Sequence, residues 1–242
     1  MEEREILTNQ VLFIAVVILS NIVQVLTGFA GTMLAMPASM QLIGINEAKA
    51  VLNAGSIILV TTVAIQNYKY INKKEATKIT VLMLLGMGVG VYLLQIMPTG
   101  ILLNIYAYFV IFISLKKMFI KNELHLSNLI MILIVFLAGI VHGMFVSGGS
   151  LLVIYAVTAL KDKDEFRATL AVIWAILSSI LFTTHIQQGF FTPEVWTLTL
   201  ITTFTVFLSV KIGNKLHDKI NQQTFLKIVY VLLFLSGLLL IL

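Results

Sequence analysis

The chain has no cysteine, three prolines, and charged residues at only 11% of its 242 positions. The first absence excludes disulfides, thiol catalysis and cysteine-based metal sites. The scarcity of charge excludes an ordinary water-soluble domain, in which about a quarter of the residues are charged. A GxxxxGK[ST] phosphate loop is also missing, so nothing points to ATP as an energy source. No cofactor is expected. In place of charge there is apolar bulk: 59% of the residues are hydrophobic and mean hydropathy is +1.01.

The few charges are clustered. None falls in 6–46, 50–68, 79–115, 124–160, 168–193, 195–210 or 228–242. A helix needs about 20 apolar residues to cross the hydrocarbon core, so these runs predict a polytopic, all-α membrane protein whose first partner is the lipid bilayer. The start, MEERE, lacks the positive charge of a cleavable leader, and the first apolar segment is expected to stay in the protein. The net charge of +5 comes from Lys and Arg in short loops between spans. Such residues set membrane orientation, and no nucleic-acid partner is expected.

The chain reads as a duplication. A shift of 118 residues sets Glu47, Lys49, Ala50 and Leu52 on Glu165, Arg167, Ala168 and Leu170, and Gly31, Thr32 and Leu34 on Gly149, Ser150 and Leu152. Later the shift becomes 123 and sets Gly90 on Gly213. The repeats are 10–121 and 126–242, within one membrane domain. Each has a long apolar segment followed by three spans, predicted at 48–66, 77–96 and 100–118, then at 166–185, 193–212 and 224–242.

Lysine placement orients the halves. Lys69, Lys73, Lys74 and Lys78 crowd one loop of the first half, whereas the matching loop, 186–194, has no Lys or Arg. The next pair reverses this: 97–100 is uncharged, and its counterpart carries Lys211, Lys215, Lys219 and Lys227. With Lys-rich loops inside, the halves are inverted repeats and both termini lie outside. Lys116, Lys117 and Lys121 put the central linker inside, and Lys161, Lys163 and Arg167 put the loop after the second long segment there as well.

Each long segment runs to roughly 35 residues, well beyond what one straight span needs. Two half-depth helices folded into a re-entrant hairpin are therefore expected, with a single tilted span as the alternative. Both segments break at a small, polar tip, Thr27, Gly28, Phe29, Ala30, Gly31 and Thr32 in the first and Ser147, Gly148, Gly149 and Ser150 in the second. Glycine permits the turn and lets a ligand touch backbone. Helix N-termini starting near Thr32 and Ser150 would point free N–H groups at the bilayer midplane and attract an anion. Two opposed tips would make one midplane site for a small anionic substrate.

His142 lies just before the second tip and its counterpart is Gln24, so both could face the site, His142 as substrate ligand, as proton carrier or as a structural residue. Lys49 and Arg167 read as solvated loop charges, with attraction of anions to each entrance as the alternative. Asn53, Gln66, Trp174 and His185 read as interhelical hydrogen-bonding or packing residues, and Gly86, Gly88 and Gly90 as sites of close helix packing. Pro37 should kink or end a half-helix.

GFAGTMLAMP at 28–37 with NEAKAVLNAGS at 46–56, repeated loosely as VSGGSLLVIY and DEFRATLAVIW, resembles the sulfite exporter TauE/SafE family. The Gly-led tails GVYLLQIMP and GNKLHDKIN fit the same pattern. Ala30 stands where that family often has glycine, and Tyr155 where the first half has Pro37. The resemblance implies a secondary transporter of the bacterial plasma membrane for sulfite, sulfonates or similar anions, often exporting them, with a proton or another ion as coupling partner. Two other classes stay open: a passive channel or assembly subunit, and an intramembrane serine hydrolase using Ser147 or Ser150 with His142 or His185.

Overall fold

The computed structural model describes residues 2–96, 108, 111–112, 115, 127–160 and 162–241. Among them it contains helices and turns without a strand: α1 (Glu2–Thr27), α2 (Gly31–Ile43), α3 (Ile45–Gln66), a 3-10 turn (Tyr68–Tyr70), α4 (Lys73–Ile96), α5 (Asn128–Phe145), α6 (Gly149–Ala159), α7 (Lys163–Gln187), α8 (Pro193–Lys219) and α9 (Gln222–Ile241). Six of these, α1, α3, α4, α5, α7 and α8, contain stretches long and apolar enough to cross a membrane. The span predicted at 100–118 falls almost wholly outside the described residues. So do the 97–100 loop and the linker lysines Lys116, Lys117 and Lys121.

Local chemistry sets where several helices begin. Ser127 caps α5 by accepting the Ile130 N–H, and Asp162 caps α7 by accepting those of Asp164 and Glu165. Thr192 accepts the Val195 N–H at the start of α8, with Pro193 in the first turn where its missing donor costs nothing.

Both long segments break where the small residues predict. After α1, Gly28 takes a φ of 86° and its N–H reaches Gln24 O at 2.7 Å. After α5, the counterpart Val146 takes a φ of 55° and its N–H reaches His142 O at 2.8 Å. The left-handed turn is thus built twice, once with glycine and once at a cost of about 1–2 kcal/mol for a residue with a Cβ.

The short arms, 13 residues in α2 and 11 in α6, are about 20 Å and 16 Å long, too short to cross ~30 Å of hydrocarbon. The arms before them are longer than the expected half-depth helices. At 26 residues α1 reaches about 39 Å and at 18 residues α5 reaches about 27 Å, because uncharged sequence continues back to Ile6 in the first and through the whole of the second. Pro37 does not end its helix; α2 continues to Ile43.

Helix pairing repeats between the halves. α1 packs along α8, with Ser209 Oγ donating to Ile18 O at 3.5 Å and His217 Nδ1 lying 2.9 Å from Leu26 O, so the two run parallel. Their counterparts α5 and α4 also pack in parallel, Met83 against Gly139 and Met87 against Gly143. A Cβ on Gly213 would meet Ile22 O at 3.1 Å, and one on Gly90 would run into the carbonyl oxygen of Ile140, the residue that matches Ile22. Between these pairs α3 packs on its own counterpart α7. Asn53 Nδ2 donates to Ser178 O at 2.9 Å, and the Asn72 N–H beyond the far end of α3 donates to Thr169 Oγ1 at 3.0 Å, so these two counterparts run antiparallel.

The glycines of α4 differ in role. A Cβ on Gly86 would strike the Phe136 carbonyl and lie 2.9 Å from the Ile140 nitrogen, whereas one on Gly88 would have no neighbour within 4 Å. Close packing therefore explains Gly86 and Gly90 but not Gly88, which lies on another face of the helix. Gly86→Ala should lower unfolding free energy in detergent by about 1–3 kcal/mol, since backbone cannot yield as a side chain can. Gly88→Ala should stay within about 0.5 kcal/mol of the parent, and thermal unfolding of the two variants side by side checks both.

Candidate functional site

The two tips meet. A Cβ on Gly149 would lie 2.9 Å from Phe29 O, and one on Gly28 would lie 3.2 Å from Arg167 Cα, so each break is held against the opposite half. Between them is a cavity of about 10 Å³, space for about one water-sized centre. Counterparts line it from both sides: Gln24 with His142, Ser56 with Trp174, and Val60 with Ser178. Phe29, Thr32, Val146 and Gly149 complete the wall, which contains no Asp, Glu, Lys or Arg.

The tip residues divide by what their polar atoms already do. Gln24 folds over the first break, where its Oε1 accepts the Gly31 N–H at 2.7 Å and its Nε2 donates to Gly28 O at 3.4 Å. The Trp174 indole N–H also donates to Gly28 O, at 2.8 Å. The expected free donor at Gly31 is therefore occupied: a glutamine one turn back reaches the tip and satisfies it. Thr27 is buried, but its hydroxyl donates to Val23 O at 2.8 Å within its own helix. Ser147 Oγ donates to Phe145 O at 3.0 Å, and Gly148 packs against His142 Cβ. Ser150 is buried in the first turn of α6.

Of the ten residues expected at the site, Gln24, Thr32, His142 and Gly149 line the cavity. Thr27, Gly28, Gly31, Ser147, Gly148 and Ser150 shape the turns around it. Ser56, Ser178 and Val60 were not expected. Their signal was a stripe of one face on each of two matching helices, Ser56 with Val60 and Trp174 with Ser178, four residues apart. Trp174, read as a packing residue, is both packing and lining, since its ring is large enough to span the two.

His142 is 3% exposed and neither ring nitrogen has a hydrogen-bond partner. Its ring lies against Trp174 with centroids 5.2 Å apart. An imidazole always carries a donor or acceptor on each nitrogen, and leaving one buried and unmatched costs about 1–3 kcal/mol. Asn53 Oδ1, fully buried between α3 and α7, is unmatched too. His142 is not hydrogen bonded to a serine hydroxyl, so the described residues contain no assembled Ser–His pair at this cavity.

Lys49 and Arg167, read from sequence as solvated, are buried at 7% and 2% exposure. Each falls in the first turns of a helix packed on its own counterpart, which covers it. The Arg167 guanidinium donates from Nη2 to Asn67 Oδ1 and from Nη1 to Asn214 Oδ1, both at 2.9 Å, beneath the first tip. Tyr155, in the place of Pro37, donates to Glu75 Oε2 at 2.6 Å and accepts from Lys78 Nζ at 2.8 Å, mooring α6 to the start of α4.

Comparison with protein-family models gives a match to the one described as Sulfite exporter TauE/SafE, covering residues 12–240. Neither the curated proteins nor the solved structures give a match.

Gln24→Ala should destabilise the protein by about 1–3 kcal/mol by stranding the buried Gly31 N–H. Thr27→Val, which removes only a bond to an already paired helix carbonyl, should cost less than about 1 kcal/mol. Thermal unfolding of both in one detergent measures the difference.

Proposed function

This chain belongs to the sulfite exporter TauE/SafE family, and from that premise we propose that it is a secondary transporter moving a small sulfur oxyanion or sulfonate through the cavity between the tips. It is a multi-pass membrane protein of a transporter family. The observation that carries the finer proposal is the meeting of two helix breaks around a cavity with an unpartnered histidine and no carboxylate.

The guest's charge follows from that wall. The Thr32 hydroxyl, the His142 ring and the start of α6 at Gly149 offer donors, whereas the Ser56 hydroxyl already donates to Asn53 O at 2.8 Å; a helix N-terminus carries about half a positive charge. No fixed negative charge opposes an anion there. A cavity of about 10 Å³ is smaller than such an anion. Binding therefore needs the halves to separate, which suits an occluded stage of alternating access at a midplane site.

The antiparallel packing of α3 on its counterpart α7, and the exchange of α1 on α8 for α5 on α4, support inverted repeats. With Lys-rich loops in the cytoplasm, both termini are outside and the host membrane is the bacterial plasma membrane. His142 is the natural place for a coupling proton, as a titratable group on the cavity wall.

Purified protein in liposomes should carry sulfite or a small sulfonate with saturable flux and counterflow, and His142→Ala should cut that flux at least about ten-fold, the worth of one lost hydrogen bond to a charged group. Absence of flux for every such anion under any imposed gradient would overturn the transporter assignment, and non-saturable flux would favour a channel. For the inversion, single cysteines replacing Lys73 and Lys215 should both escape an impermeant thiol reagent in intact cells and both react with it in inside-out membrane vesicles. Modification from opposite sides defeats it.

A further inference from the structure

We propose a second anion-binding site, a vestibule built around Lys49 and His185 that loads the cavity between the tips from one mouth only. The pocket holds about 380 Å³ between the start of α3 and the end of α7, and its polar wall is Asn46, Lys49, Thr184, His185 and Gln188. No carboxylate lines it. Glu47, the nearest acid in sequence, folds back against Gly44 instead.

Lys49 carries the inference. It is 7% exposed, and among the described residues it has neither an ion pair nor a hydrogen bond. Its ammonium faces the pocket while the rest of the side chain is covered, and a positive charge so placed, with no acceptor from the protein, is matched by an anionic guest. His185 is 4% exposed, is stacked on Phe190 with centroids 5.4 Å apart, and its Nδ1 has no partner. A small oxyanion seated between the ammonium and the imidazole would satisfy both, with the amides of Asn46 and Gln188 and the Thr184 hydroxyl as further donors.

The opposite mouth lacks this vacancy. Arg167, the counterpart of Lys49, is held through both terminal nitrogens by Asn67, Asn214 and Val25 O, with only its Nε unmatched, and Asn214 in turn donates to Gln66 Oε1 at 2.9 Å. Asn72 Nδ2 donates to Glu165 Oε1 at 2.8 Å across the same end. The surface pocket there is walled by Asp162, Asp164 and Glu165 against a single cation, Lys69, a balance that disfavours anions. One cation is thus open to a pocket and its mate is sealed by neutral amides.

A polar stripe, closed in this structure by the fully buried Asn53 bonded to Ser178 O, runs from the vestibule toward the cavity. On α3, Asn46, Lys49, Asn53, Ser56 and Val60 recur at alternate spacings of three and four and so share one face. On α7, Trp174, Ser178, Leu181 and His185 do the same in the opposite direction. The seven steps from Lys49 to Ser56 span about 10 Å, and Asn53 with its unmatched oxygen lies between them. The vestibule's role in loading rests on the proposed transport, but its chemistry does not.

The absence of native cysteine allows a local test. Asn46→Cys in the full-length protein in detergent is modified by methanethiosulfonate reagents of equal reach, one bearing a sulfonate and one a quaternary ammonium. After correction for each reagent's rate on a free thiol, the sulfonate should react on the order of ten-fold faster, as expected for a focused positive field. Millimolar methanesulfonate should protect the site, and Lys49→Gln should abolish both preference and protection while Lys49→Arg keeps them. Gln188→Cys serves as a second reporter should the first misfold. Equal rates for the two reagents, or a preference unchanged in Lys49→Gln, would overturn the vestibule. Preference with no liposome flux would uphold the vestibule and defeat the transport assignment; flux with equal rates would do the reverse.

Discussion

Two interrupted helices buried in the protein set the terms for everything else. An interruption frees backbone N–H and C=O groups, and away from water each must find a partner. Here the partners come from neighbouring side chains: Gln24 closes on Gly31 and Gly28, and Trp174 reaches Gly28 from the other half. The same requirement explains why the breaks are small. Gly28 adopts a left-handed turn without penalty, and Val146 adopts it while its N–H is tied to the preceding turn. A break satisfied in this way can remain beside a polar cavity without collapsing the bundle.

Duplication supplies the geometry at low cost. Because the halves pack through matching surfaces, whatever lines the interface from one side has a counterpart on the other, as Gln24 and His142 show. Divergence then assigns different work to equivalent places. Gln24 is consumed in capping its own tip, whereas His142 has both nitrogens to spare. Lys49 opens onto a pocket, whereas Arg167 is enclosed by asparagines. Equivalent places in the two halves thus end in unequal surroundings.

Charge is used sparingly for a physical reason. A lysine or arginine at the centre of a membrane helix costs roughly 2.5–3.5 kcal/mol on insertion scales. The cavity wall accordingly contains neutral donors only, and the two buried cations sit in the first turns of α3 and α7. On the proposed function, attraction falls to the mouths and recognition to the space between the tips. Neutral donors near helix starts can hold an anion without trapping it, so that release stays possible.

Hydropathy, the 118-residue repeat and the glycine placement made the helical class, the positions of the breaks and the family resemblance legible from sequence, because helix crossing and backbone turning depend on local composition and spacing. Four of the ten expected site residues, Gln24, Thr32, His142 and Gly149, were likewise placed on the cavity by their distance from a break. The occupation of the Gly31 donor, the burial of Lys49 and Arg167, and the recruitment of Ser56, Trp174 and Ser178 were decided only when α3 packed against α7 and the tips met. Apart from the Gly31 donor, which Gln24 satisfies from seven residues back, those outcomes join separate helices, and no local pattern states which face of one helix will cover which face of another.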